Sequence, residues 1–170
     1  MRSTPTVARL AGIPEGVAGA TATMRAMRQL VRDSIREPAQ QVRETALSIT
    51  GTAAGSGPGY VEQVRRIQSW VQNNIRYVRD PTTVELVQTP QKTLEYKAGD
   101  CDDQAVLTAA LLDSLGHPAQ FVAVGLNGEP LSHVMVQTLI GDKWYGVETI
   151  EPHPLGWMPA GITSHYILKV

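Results

Sequence analysis

Ala98-Gly99-Asp100-Cys101-Asp102-Asp103-Gln104 carries the single cysteine of the 170-residue chain and leads into Ala105-Val106-Leu107-Thr108-Ala109-Ala110-Leu111-Leu112. The run from Cys101 to Leu115 has helical composition and is apolar nearly all round, which predicts a helix buried among other elements. Gly116 stands where a left-handed residue ends a helix, and Pro118 blocks its continuation. At the other end Gly99 frees the backbone, and Asp100 is a favourable N-cap. Cys101 is therefore expected in the first turn, where unpaired N–H groups and the positive end of the helix dipole converge. That environment favours a thiolate and can hold an oxyanion. Asp102 and Asp103 act in the opposite sense, because nearby negative charge raises a thiol pKa. A lone cysteine is most often an inert buried thiol, but a Gly-Asp-Cys-Asp-Asp context is not an apolar pocket. An activated thiol here needs a basic partner, and histidine is the natural one.

Downstream of this helix the hydrophobic period changes from about 3.6 to 2. Ala119–Gly125, His133–Ile140 and Lys143–Ile150 read as strands, with turn signals at Asn127-Gly128 and Gly141-Asp142. Tyr166–Val170 is a further candidate to close the sheet, and Glu151–Pro159 reads as a proline-rich loop. If Gly141-Asp142 centres a two-residue hairpin, Ile140 faces Lys143, and the pairs 139 with 144, 137 with 146 and 135 with 148 follow. Opposite residues share a face, as do residues two apart on one strand. His133 and Glu148 then become diagonal neighbours on one face, and a slip of one residue would separate them. A carboxylate beside an imidazole fixes its tautomer and stabilises the imidazolium. Cys101, His133 and Glu148 thus make a thiol–imidazole–carboxylate set suited to acyl transfer, with the sulfur expected within about 3–4 Å of a His133 ring nitrogen.

Upstream, residues 1–14 read as an arm without a core of its own. From about Glu15 to Arg36, Met24, Met27, Val31 and Ile35 form an apolar stripe, with Arg25, Arg28, Arg32 and Arg36 beside it. Pro38 breaks this helix, and a second piece presents Val42, Thr45, Ala46 and Ile49 on one side. The arginine stripe reads as a solvated face or as a docking face for an acidic partner. Gly51-Thr-Ala-Ala-Gly-Ser-Gly-Pro-Gly59 is linker-like and sets the expected division: an N-terminal helical arm and linker over 1–55, and a globular domain over 56–170. Within that domain a helix from Tyr60 to Ile75 turns Val61, Val64, Ile67, Val71 and Ile75 inward. Arg76-Tyr77-Val78 is short and extended, and Pro90–Tyr96 makes a polar helical turn. Helices before and an antiparallel sheet after give an α+β class.

One cysteine rules out an intramolecular disulfide, and no apolar run reaches membrane-spanning length. No signal peptide is read at the N-terminus, so synthesis in the cytoplasm is expected. A formal net charge of −1 gives no reason to expect a nucleic-acid or membrane partner. His117, His133, His153 and His165 lack zinc spacing, so no metal site is expected, and no phosphate-binding glycine loop follows a strand. No cofactor is expected.

Gly99-Asp-Cys-Asp-Asp-Gln-Ala105, Ser132-His-Val-Met-Val-Gln137 and Trp144-Tyr-Gly-Val-Glu-Thr149 closely resemble the transglutaminase-like core, as does the upstream Ile67-Gln-Ser-Trp-Val-Gln-Asn-Asn-Ile-Arg-Tyr-Val-Arg-Asp80. The resemblance covers roughly residues 60–155. It implies a papain-related α+β fold in which a central cysteine-bearing helix packs on an antiparallel sheet. It also implies a cysteine nucleophile with histidine and acid partners, which fall on Cys101, His133 and Glu148. Glu148 stands where the family usually carries aspartate. For the oxyanion, the backbone N–H of Cys101 is the first donor expected, with Gln104 and the Trp70–Tyr77 segment as further candidates.

Two functions follow as expectations. One is a thiol-dependent amide hydrolase or acyltransferase, similar to a cysteine peptidase, acting on a protein or peptide. Hydrolysis is favoured over transfer because water needs no second binding pocket. The other is an inactive structural or binding module. The arm-and-linker layout resembles small accessory proteins of tailed bacteriophages and prophages, and that likeness implies a place in a virion (tail) assembly with phage structural proteins as partners of the arm.

Overall fold

The helix expected after Gly99 forms over Cys101–Ser114, and most other elements pack around it. The computed structural model describes residues 7–10, 17–36, 40–51, 59–81 and 85–170. In chain order the elements are β1 (Val7–Leu10), α1 (Val17–Arg36), α2 (Gln40–Thr50), α3 (Tyr60–Asn74), β2 (Arg76–Tyr77), β3 (Glu85–Gln88), α4 (Pro90–Tyr96), β4 (Ala98–Gly99), α5 (Cys101–Ser114), β5 (Ala119–Leu126), β6 (His133–Ile140), β7 (Lys143–Val147) and β8 (Ile162–Lys169). The architecture is α+β: helices gather on an antiparallel sheet of order β7-β6-β5-β8, with two small ladders, β1 with β3 and β2 with β4, at its side.

Helix α5 is held at both ends by local chemistry. The Asp100 carboxylate accepts the N–H groups of Asp102 and Asp103, and the Asp103 carboxylate accepts that of Asp100, a reciprocal capping box. Gly99 is needed for space rather than for backbone freedom: a Cβ there would lie 2.5 Å from that of Asp103. At the far end Gly116 takes φ 84°, the left-handed terminator expected, and the Arg43 guanidinium of α2 donates to the Ser114 carbonyl. Between these ends Ala105–Leu112 is buried throughout, because α1, α2, α3 and the sheet all pack on it.

The helices read as an arm share this core. Met24, Met27 and Val31 of α1 and Val42 and Ala46 of α2 belong to the same buried cluster as Val64, Ile67 and Val71 of α3 and Leu107 and Leu111 of α5. The Pro38 break and most of the expected 51–59 linker lie outside the described residues. Of the arginine stripe, Arg25 and Arg32 are exposed, and Arg32 faces Asp113 of α5.

The structure departs from the sequence reading at several points. Val7–Leu10, expected as part of a coreless arm, pairs with β3; neither strand has a periodic pattern long enough to announce it alone. β7 ends at Val147 rather than Ile150. The last strand begins at Ile162 rather than Tyr166 and pairs with β5. Val61, expected inward on α3, is exposed. Among the described residues no helix is long and apolar enough to cross a membrane.

Candidate active site

The β6–β7 hairpin adopts the register derived from its turn. Ile140 faces Lys143, Leu139 faces Trp144 and Gln137 faces Gly146, with Gly141 at φ 64° in the turn. His133 opens β6, and Glu148 lies one residue beyond β7. Their side chains meet as the diagonal required: His133 Nε2 is 2.8 Å from Glu148 Oε2. The Glu148 side chain is only 3% exposed, against 23% for His133. Burial pushes the Glu148 carboxyl upward, but the His133 ring and the N–H groups of Ile150 and Thr149 outweigh it and hold the group below its usual range. The Ile150 N–H donates to Oε1 over 2.7 Å. A carboxylate so held stays ionised and fixes the imidazole, with Nε2–H donating and Nδ1 left as the basic nitrogen.

Cys101 occupies the first position of α5 and is half-buried. Because Asp100 takes the N–H groups of Asp102 and Asp103, that of Cys101 stands outside the cap. The thiol lies against β6, where the main chain of Val134, next to His133, favours the thiolate by hydrogen bonding. The direct hydrogen bond expected between the sulfur and the His133 ring is not formed among the described residues. The thiol is directed instead at Asp102 Oδ1, 3.7 Å away. Burial, followed by the charges of Asp102 and Asp100, pushes the thiol well above its usual pKa and outweighs Val134.

The acidic flank of the cysteine is itself organised. Burial raises the Asp102 carboxyl well above its ordinary range, and so does a hydrogen bond to the Glu85 carboxyl of β3. Two carboxyl groups in such contact share a proton. Asp100 is pushed up to about 6 by burial and by neighbouring Asp80, and Asp103 to about 7, chiefly by burial. Asp103 accepts from the main-chain N–H and the side-chain amide of Gln88, both at 2.7 Å, which ties β3 to the cysteine loop. Sequence reasoning missed Glu85 and Gln88, because their strand was not expected. Among the described residues no group of three or more His, Cys, Asp or Glu side chains is arranged to hold a metal ion.

Gln104, a candidate oxyanion donor, is 1% exposed. Its amide donates weakly to the carbonyls of Ile75 and Gly99, at 3.4 and 3.5 Å, and so links α5 to the β2–β4 ladder. His153 stacks on Trp157 with ring centroids 3.6 Å apart, and His117 is buried against Tyr60 and Gln63 at the far end of α5.

The transglutaminase-like superfamily matches residues 43–149, a span that holds Cys101, His133 and Glu148. No curated protein matches the chain. Among solved structures the chain is similar to a candidate cysteine protease from Cytophaga hutchinsonii, with 19% identity, a TM-score of 0.55, and coverage of 84% of this chain and 51% of that one. It is also similar to a candidate protease from Parabacteroides distasonis, with 16% identity, a TM-score of 0.58, and coverage of 87% of this chain and 32% of that one. The chain thus spans about half the length of the first and about a third of the second. At these identities the likeness is one of fold.

Proposed function

The chain belongs to the transglutaminase-like superfamily, and from that premise we propose that it is a thiol-dependent amide hydrolase or acyltransferase acting on a protein or peptide. In this reading Cys101 is the nucleophile, His133 the base and Glu148 the acid that orients it. The observation that carries the reading is the 2.8 Å contact between His133 Nε2 and Glu148 Oε2, made between the start of β6 and the residue that follows β7, beside a thiol at a helix N-terminus. With Nε2–H committed to Glu148, Nδ1 takes the thiol proton. The thiolate attacks the amide carbonyl, and the oxyanion is received by the Cys101 main-chain N–H. Collapse breaks the C–N bond, the imidazolium gives its proton to the leaving amine, and a thioester remains. Water attacks the thioester, passing a proton to His133; the C–S bond then breaks, the acid leaves, and the imidazolium returns its proton to the Cys101 sulfur. An amine in place of water completes a transfer instead. Hydrolysis is the simpler outcome, since it asks for no second pocket. For Gln104 to assist at the oxyanion, its amide must first leave the carbonyls of Ile75 and Gly99.

The alternative, an inactive module of a virion (tail) assembly with phage proteins bound to the arm, rests on the arm-and-linker layout. Its support is weaker, because α1 and α2 bury their apolar stripes in the common core and are not left for neighbouring subunits.

The test is amide turnover on a peptide mixture followed by mass spectrometry. Cys101→Ala removes turnover with little loss of stability. Glu148→Gln slows it by about 10²- to 10⁴-fold without abolishing it, since this residue orients rather than bonds. Turnover by the Cys101→Ala protein would defeat the proposal.

A further inference from the structure

The carboxylate of Glu148 needs a support that its strand does not supply. The ladder between β6 and β7 closes with Val136 opposite Val147, so Glu148 lies beyond the last paired residue. Its main-chain carbonyl points at α3 and accepts from two side-chain amides, Gln68 Nε2 at 3.0 Å and Gln72 Nε2 at 2.9 Å. The same two amides gather the rest of the turn. Gln68 also reaches the His153 carbonyl at 3.2 Å, and Gln72 reaches those of Glu151 at 3.0 Å and His153 at 3.1 Å. The glutamines are four residues apart and so lie one above the other on one face of α3. That helix is anchored in the core by Val64, Ile67 and Val71.

We propose that Gln68 and Gln72 are positioning residues for the acid of this site: they clamp the 148–153 turn to α3 and so aim the Glu148 carboxylate at His133. This rests on reading Glu148 as the acid of the triad. Glutamine suits the task because each amide brings two N–H donors and no charge to the carbonyls of the turn. Glutamate would set a carboxylate against two carbonyl oxygens at position 68 and three at position 72. The turn also brings the Ile150 N–H onto Glu148 Oε1, so loosening the turn weakens the contacts that keep the carboxylate ionised.

The experiment follows the Glu148 carboxyl by carbon-13 NMR titration in the full chain. In the wild type it titrates below the ordinary glutamate range, for the reasons given above. In Gln68→Met/Gln72→Met the midpoint rises by about half a unit or more, as the carboxylate loses its fixed donors. Gln72→Lys, which restores N–H donors at similar reach, returns it towards the wild-type value. Gln72 is only half-buried, so Gln72→Met alone gives a folded protein in which the same rise is read if the double variant does not fold. A folded variant whose Glu148 titrates as in the wild type, whatever its melting temperature, overturns the proposal. Activation of Cys101 is measured separately by alkylation, so failure of the nucleophile reading and failure of the clamp are distinguishable.

Discussion

Around the Cys101 sulfur, burial and the carboxylates of Asp102 and Asp100 hold the proton on, while the Val134 main chain and the helix N-terminus pull it off. In this structure the first set prevails, so the proposed reaction requires His133 to accept the proton at the moment of attack. Asp102 is the removable part of the opposition. Asp102→Asn keeps the volume, and its amide can still donate to Glu85, but it confines the charge of the proton-sharing pair to Glu85, away from the oxygen 3.7 Å from the sulfur. Its thiol should react with iodoacetamide several-fold to about tenfold faster at pH 7 than the wild type, tenfold corresponding to a one-unit shift. An unchanged rate would show that burial alone sets the thiol. At this scale the contact between His133 and Glu148 was legible in the sequence. The polar context of Cys101 excluded an apolar pocket, and one hairpin turn fixed which residues share a face. The proton-sharing of Asp102 with Glu85 was not legible, since it depends on β3, four residues long and paired with the distant β1.

The capped start of α5 carries a pH dependence of known sign. Asp100 at about 6 and Asp103 at about 7 lie above the ordinary aspartate value of 3.8, with burial the first cause in each. A carboxyl raised in the folded state favours folding while protonated. Its contribution is complete below about pH 4 and is lost as pH rises through about 6 to 7. Glu148, held low, acts in the opposite sense, and its contribution is lost only at the acid end. The melting temperature should therefore fall between about pH 5 and pH 8. Asp103→Asn should flatten that slope, because Gln88 Oε1, which is unpartnered, can turn over to accept from the new amide. A wild-type melting temperature that is level or rising across this window would contradict the assignment. Elements with strong local signals were read correctly: the Asp100 cap, the Gly116 terminator and the hairpin at Gly141. The end of β7 was read three residues too far because Glu148-Thr149-Ile150 alternates like a strand, while the amides of Gln68 and Gln72 bend it away.

For the molecule as a whole the open question was how the first fifty residues relate to the rest. The linker-like composition of 51–59 suggested a separable arm, and composition carries no information about where an apolar stripe is buried. Met27 is fully buried in the core shared with α5. Met27→Ala should cost about 2–5 kcal/mol in denaturant unfolding, with one cooperative transition for the full chain. A loss near zero would mark α1 as a loosely attached arm after all. The central claim, that Cys101 is activated by His133, is tested most directly by the rate of Cys101 alkylation by iodoacetamide against pH, in the full chain and in His133→Ala. The account predicts that near pH 6–7 the wild type reacts faster than His133→Ala, which remains folded, because His133 accepts the thiol proton at the moment of attack. A thiol that reacts equally fast without His133 would contradict it.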